Sequence, residues 1–248
     1  MPIFKYLNRL VLKAMYWAIP EGLAIGCLSH IYQCEQHTTT NWQTLWIPFI
    51  GGQGGYLLLR WWHVQTAVKW QKPVWYFAIL TSILAVWGLL FVQHLPFWQL
   101  VTMMALIGIY PLLRPFGLFK TIWVAATLAF ITSFLLQKNS DFVIHELLIH
   151  TGIIWLWLFP KEIQQAGIDQ LKQPTLPQWL GIRQLKKVSF IFGIILLLLT
   201  TYLDLSWTHQ AIIVLSILVV VAAPNDRNDL YLLGVEMVPV LWLFLFQV

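Results

Sequence analysis

The chain has 248 residues and a mass of 28.9 kDa; 59% of its residues are hydrophobic and only 10% are charged. An average soluble domain carries about 25% charged residues. The mean hydropathy of +0.71, together with 15 Trp and 15 Phe, gives more apolar surface than one soluble core can bury. This composition excludes a secreted disulfide scaffold, a disordered segment and an ordinary cytosolic enzyme. It predicts an all-α polytopic membrane protein.

Nine apolar segments approach the length of about 20 residues that a membrane-spanning helix needs. The second contains the run Gly51-Gly52-Gln53-Gly54-Gly55, which either loosens the helix or lets a neighbouring helix pack closely against it. The first segment has no small-residue cleavage site, so we expect no signal peptide. The predicted segments are residues 14–32, 43–62, 74–93, 96–113, 118–136, 142–160, 188–204, 209–223 and 229–247.

Lysine and arginine fall almost entirely on one side of this arrangement. With the N-terminus in the cytosol, 14 of the 15 basic residues are cytosolic and only Lys138 lies outside. By the positive-inside rule this predicts one transmembrane domain over residues 1–248, N-in and C-out. Topology and anionic lipid headgroups then account for the net charge of +5, and no nucleic-acid partner is expected. The cytosolic set is Lys5, Arg9, Lys13, Arg60, Lys69, Lys72, Arg114, Lys120, Lys161, Lys172, Arg183, Lys186, Lys187 and Arg227.

The longest cytosolic connection carries the most specific pattern in the chain. The stretch F-P-K-E-I-Q-Q-A-G-I-D over residues 159–169 is followed by P-T-L-P-Q-W-L-G-I over residues 174–182. A second polar connection holds Tyr110-Pro111, Arg114 and Lys120. Together with the nine-segment layout, these motifs resemble the UbiA superfamily of membrane prenyltransferases.

The resemblance implies a bundle of nine transmembrane helices around a central cavity that opens to the cytosol. Residues 60–73 and 160–187 would form cytosolic cap connections over the mouth of that cavity. Members of the family ionise an isoprenyl diphosphate and transfer the allylic cation to an acceptor. Two Mg²⁺ ions, held by two Asp-rich motifs, neutralise the leaving diphosphate.

The first of those motifs is missing here. Its Asn position corresponds to Leu59, and its three Asp positions correspond to Arg60, His63 and Ala67. No Asp or Glu occurs between Glu35 and Asp141, so a shift of register cannot restore it.

The second motif is only partly retained. Glu162, Gln165 and Asp169 stand at its acidic positions, which makes Glu162 and Asp169 the candidate catalytic residues. Two carboxylates on one loop are too few for two Mg²⁺ ions. No metal or other cofactor is therefore expected, unless an altered chemistry uses a single Mg²⁺.

Basic side chains at the cavity mouth offer another way to hold a phosphate. Charge-assisted hydrogen bonds from Arg and Lys bind phosphate without a metal. The alternative is that these residues are ordinary inside-positive anchors. The candidates for ligand binding are Arg60, His63, Lys69, Lys120, Lys161 and Lys172.

Two glutamates fall inside predicted spans. Glu21 and Glu236 each lie about seven residues, or about 10 Å, from the cytosolic end of the first and the ninth segment. The resemblance makes these two segments neighbours, so both side chains would lie at one level. Intramembrane carboxylates usually face a polar cavity or a protein interior. Either they line the ligand pocket, or each is neutral or satisfied by a Trp or Tyr donor.

A polar group formed by His145, Glu146 and His150 begins the sixth segment on the outer side. A metal site there is one interpretation. An interfacial polar cluster is the other, and we favour it because a histidine near a helix end usually makes a satisfied polar contact.

Three functions fit the sequence. The first is a non-catalytic isoprenoid-binding or lipid-binding accessory protein, whose partners are a membrane lipid or isoprenoid and an enzyme of the same pathway. The second is an active prenyltransferase or terpene-cyclase-like enzyme with non-standard handling of the diphosphate. The third is a small-solute transporter, which the resemblance and the lack of an internal repeat argue against. The expected location is a bacterial inner membrane.

Overall fold

The computed structural model describes residues 18–35, 42–64, 72–113, 115–135, 144–166, 175–225 and 228–246. These residues form helices joined by short connections, and they contain no β-strand. The prediction of an all-α protein is confirmed for this part of the chain. It follows from the apolar runs, which satisfy their backbone hydrogen bonds within each helix.

The helices follow the predicted apolar segments closely. They are α1 (Ile19–Glu35), α2 (Gln43–Val64), α3 (Lys72–Trp87), α4 (Phe97–Leu113), α5 (Gly117–Phe130), α6 (Ile144–Gln165), α7 (Leu176–Leu180), α8 (Ile182–Tyr202), α9 (Trp207–Ala222), α10 (Asp229–Glu236) and α11 (Val238–Phe246). Helices α3 and α5 continue as π-helical turns over Gly88–Val92 and Ile131–Leu135.

The largest differences from the predicted boundaries flank the long connection. Helix α6 continues to Gln165 instead of ending at residue 160, with Pro160 inside it. Helix α8 begins at Ile182, six residues before the predicted start at residue 188. Gly181 separates α7 from α8 at a φ of 78°, a backbone conformation that glycine adopts without strain.

Two helical stretches, Pro73–Val92 and Ile182–Tyr202, are long and apolar enough to cross a membrane by length and composition. Three shorter apolar helical stretches cover Phe97–Leu113, Phe119–Leu135 and Trp207–Ala222. Large apolar side chains cover the outer faces of several helices; Phe97, Leu112 and Leu198 are each about two thirds exposed or more.

Helices α1 and α11 bring the two ends of the described chain together. Helix α1 packs against α2 on one side and against α11 on the other. The main core lies between α1, α5, α6, α8, α9 and the α10–α11 pair, with Leu28, Leu156, Ile212 and Trp242 fully buried in it. This arrangement places the first turn of α1 and the end of α10 beside the C-terminal end of α6.

The glycine run in α2 permits close helix packing and leaves the helix unbroken. A Cβ atom on Gly54 would lie 2.6 Å from the hydroxyl oxygens of Thr81 and Ser82 in α3. One on Gly52 would lie 2.7 Å from the side chain of Ile25 in α1. Gly55 has open space at its Cβ position. The run therefore lets α2 approach both neighbours, as small residues do in helix bundles.

We expect Gly54→Ala to destabilise the protein by about 1–3 kcal/mol, because the added methyl overlaps α3. Gly55→Ala is the matched control; it should be neutral or slightly stabilising, since alanine favours a helix by up to about 1 kcal/mol over glycine. Thermal unfolding of both variants in detergent measures the difference. Equal melting temperatures for the two variants would contradict the close contact between α2 and α3.

Candidate functional site

The C-terminal end of α6 carries a buried ion pair with the last helices. Lys161 Nζ contacts Glu236 Oε1 at the end of α10. The Lys161 side chain is 18% exposed and that of Glu236 only 2%. Helix α6 continues past Pro160, and this continuation carries Lys161 into the bundle instead of into a connection.

Lys161 interacts with further groups from three helices. Its ammonium lies 5.2 Å from the centroid of the Trp157 ring, which is within the range of a cation–π interaction. It also interacts electrostatically with Glu21 on α1 and with Tyr56 on α2. The structure thus brings Glu21 and Glu236 to the same lysine, at one level of the bundle.

A second buried ion pair lies next along α6. Lys120 Nζ, from the first turn of α5, is 3.1 Å from Glu162 Oε1. Both side chains are more than nine-tenths buried. The consecutive residues Lys161 and Glu162 therefore pair with different helices. Lys161 pairs with an acid of α10, and Glu162 pairs with a base of α5.

Neutral hydrogen bonds hold α10 and its connection against α6. Trp157 Nε1 donates to the backbone oxygen of Val235, immediately before Glu236, at 2.5 Å. Gln164 Nε2 donates to the oxygen of Pro224 at 2.5 Å, and Gln164 Oε1 accepts from the Asn228 N–H at 2.6 Å. These contacts fix the connection before α10 and the last turn of α10, and so position Glu236 opposite Lys161.

The T-L-P motif starts the short helix α7. The N–H of Thr175 donates to Gln178 Oε1 at 2.9 Å, while Gln178 Nε2 donates to the oxygen of Ala166 at 2.7 Å. Leu176 and Pro177 are buried. Gln178 thereby ties the start of α7 to the end of α6, and it brings the two ends of the 167–174 segment together.

The other candidate residues lie at the edge of the described chain or beyond it. Arg60 and His63 belong to the last turns of α2, but their side chains are outside the described part. Lys69, Asp169 and Lys172 fall in segments outside the described residues.

The sequence did not point to Tyr56, Trp157 and Gln164, which lie 105, 78 and 64 positions from the residues they meet. No local spacing could have revealed them. A polar residue facing apolar neighbours, such as Gln164 beside Ile163, was the only available signal.

The chemistry of this arrangement differs from that of a metal site. Among the described candidate carboxylates, Glu162 and Glu236 each contact a lysine ammonium. Within the described residues no group of three or more His, Cys, Asp or Glu side chains is placed to hold a metal ion. Lys120 and Lys161, two of the candidates for phosphate binding, contact these carboxylates. The described part of the site is therefore a floor of two buried ion pairs between helices, with Glu21 also near Lys161.

Comparisons with family models, with curated proteins and with solved structures find no match to this chain.

Breaking the Lys161–Glu236 pair from one side should strongly destabilise the protein. Lys161→Met leaves the Glu236 carboxylate buried without its cation, and removal of one partner of a buried pair costs about 3–5 kcal/mol. The double variant Lys161→Met/Glu236→Gln should recover part of that loss, because Glu236 no longer carries a buried charge, whereas the Glu21 carboxyl near Lys161 stays buried. Unfolding of the two single variants and the double variant in detergent gives the coupling energy.

The matched control is Lys187→Met, which removes an exposed lysine of α8. This control should unfold like the parent protein. A Lys161→Met variant as stable as the control, or a double variant less stable than either single variant, would contradict the buried pair.

Proposed function

We propose that this chain is a multi-pass membrane protein with nine spans in a UbiA-like bundle, and that it binds an isoprenoid or lipid without transferring a prenyl group. It would serve as an accessory protein to a pathway enzyme in a bacterial inner membrane. The observation that carries the proposal is the pairing of Glu162 with Lys120 and of Glu236 with Lys161. Prenyl diphosphate ionisation in the resembling family needs carboxylates that are available to Mg²⁺.

Several features support the membrane part of the proposal. Two helical stretches are long and apolar enough to span a bilayer. Exposed Phe97, Leu112, Trp179 and Leu198 would be costly against water but are stable against lipid. The basic residues alternate with the predicted spans as the positive-inside rule requires. Contact between α1 and α11 agrees with the ring closure that the resemblance implies.

The lipid-binding part rests on charge. Because Lys120 and Lys161 are already paired with carboxylates, a diphosphate next to them would add little to the binding free energy. The apolar chain of the ligand would then supply most of the affinity. Arg60 stands where the family has a metal-binding Asp, and it is retained as the phosphate contact of this proposal. Binding would then require no metal, since guanidinium and phosphate pair directly.

Calorimetric titration with geranylgeranyl diphosphate and with geranylgeraniol tests this function. Both probes carry the same apolar chain and differ only in the diphosphate. We expect binding of the diphosphate to be equal in Mg²⁺ and in EDTA. Arg60→Glu should weaken diphosphate binding about 10–100-fold, since a charge-assisted hydrogen bond contributes about 1.5–3 kcal/mol. Affinity for the alcohol should stay constant in this variant.

Each alternative gives a different result in the same experiment. Binding that requires Mg²⁺, is lost in Asp169→Ala and releases diphosphate when an aromatic acceptor is added would establish the active prenyltransferase instead. Binding of neither probe would remove the isoprenoid from the proposal. Equal affinity of the parent and Arg60→Glu for the diphosphate would remove the basic contact.

The proposed topology makes an independent prediction. Alkaline phosphatase should be active when it is fused after Val248 or inserted at Lys138, because both points would lie outside the cytosol. The same enzyme inserted at Asp169 should be inactive, and green fluorescent protein at these three points should show the reverse pattern. Phosphatase activity at Asp169 would overturn the N-in, nine-span arrangement.

A further inference from the structure

Two buried histidines face each other at the end of the bundle where α6 and α9 begin. His150 lies in the second turn of α6 and His209 is the third residue of α9; each is 4% exposed. Their Nε2 atoms are 3.3 Å apart. Eleven residues of helix, about 16 Å, separate His150 from Lys161. The pair is therefore distinct from the ion-paired floor.

The two imidazoles meet head to head. Their planes are 8° apart and their centroids are separated by 5.5 Å. The centroid separation exceeds the Nε2 separation by about 2.2 Å, nearly the sum of the two centroid-to-nitrogen distances in an imidazole. Each Nε2 therefore points at the other, with its in-plane lone-pair direction along the line that joins the rings.

Neighbouring side chains hold both rings in this orientation. Tyr32 stacks on His150 with 3.9 Å between centroids, and Trp242 meets the His209 ring edge-on at 5.5 Å. Ser206 Oγ is 3.0 Å from His209 Nδ1 and 2.6 Å from Thr208 Oγ1. When the Ser206 proton goes to Thr208, His209 Nδ1–H donates to Ser206. That second hydrogen bond is typical of a metal-ligating histidine and directs Nε2 toward His150.

The geometry points to a two-coordinate site for a soft monovalent cation, Cu(I), between His150 Nε2 and His209 Nε2. Imidazole nitrogen is an accepted ligand for copper. Both rings are buried, so a single positive charge costs less in this place than two.

Ligand number and direction exclude a tetrahedral zinc site at the same place. Zinc needs four ligands whose lone pairs converge at an angle. Here the two Nε2 atoms face each other along one line, and the described residues hold no group of three or more metal ligands. Two opposed nitrogens are what a linear ion requires.

The site accommodates the ion after a small movement. Metal–nitrogen bonds of about 2 Å place the two nitrogens about 4 Å apart across a linear ion. Each ring would move by about 0.3–0.4 Å. Ser206 is exposed and adjoins the pair, which gives the ion an access route from that end of the bundle.

Cu(I) itself, supplied anaerobically with ascorbate and competed against the chelator bicinchoninate, tests the site in the full-length protein. We expect one Cu(I) per chain, and an X-ray absorption spectrum with two nitrogen ligands at about 2 Å. Zn(II) should not displace the bound copper. His150→Gln and His209→Gln should each lose copper uptake, whereas His145→Gln, at an exposed histidine of the same helix, should keep it.

Ser206→Ala keeps both histidines and removes the hydroxyl group that contacts His209 Nδ1 and Thr208. It should weaken Cu(I) binding by about 10-fold or more, and it decides the matter even where a histidine variant fails to fold. The proposal is overturned if the parent protein takes no copper from the chelator or if Zn(II) binds equally well. Unchanged uptake in folded His150→Gln and His209→Gln overturns it too, and so does unchanged affinity in Ser206→Ala.

Discussion

The cost of burying charge among apolar helices determines how the C-terminal end of α6 is built. Removing a carboxylate or an ammonium from water costs several kcal/mol per ion even in a relaxed protein. Lys120, Glu162, Lys161 and Glu236 are all buried for most of their surface, and each has an oppositely charged partner. Lys161 and Glu162 are adjacent on α6 and pair with different helices. Together the two ion pairs therefore restrict how α6 is rotated about its axis.

The two ion pairs and the hydrogen bonds around them hold the same helices together. Gln164 holds the connection before α10 and Trp157 holds its last turn, which brings Glu236 to Lys161. In the other half of the bundle, glycines let the backbones of α1, α2 and α3 approach directly. Polar pairing thus orients α6, α5 and α10, whereas small residues set the distances among α1, α2 and α3.

The helices were predictable from the sequence because a long apolar run favours a helix, which satisfies the backbone hydrogen bonds within the run itself. Helix α4, for example, runs from Phe97 to Leu113 where the sequence predicted residues 96–113. The boundary at Pro160 was wrong, because a proline inside a helix removes one hydrogen bond without necessarily ending the helix.

Partners within the site were not predictable in the same way. Lys161 and Glu236 are 75 positions apart, and His150 and His209 are 59 apart, so no local period relates them. The resemblance suggested that Glu21 and Glu236 share one level, and the sequence left Lys161 either as a phosphate contact or as an inside-positive anchor. The short polar group His145, Glu146 and His150 was interpreted locally, whereas His150 packs on Tyr32 and faces His209 across the core. These polar residues pair because they are buried together in the folded bundle, and their spacing in the sequence does not indicate the pairing.

Under the proposed function, a lysine beside a buried carboxylate has a different effect from a bound metal ion. A Mg²⁺ ion binds from solution, carries two charges and bridges carboxylates to a phosphate. The ammonium of Lys161 is covalently tethered, carries one charge and is already engaged by Glu236. It cannot leave with a product or neutralise a departing diphosphate without uncovering a buried carboxylate, which costs several kcal/mol. A site compensated in this way keeps the same charge with and without ligand. That property agrees with the proposed function, the reversible binding of an apolar chain without chemistry on its headgroup.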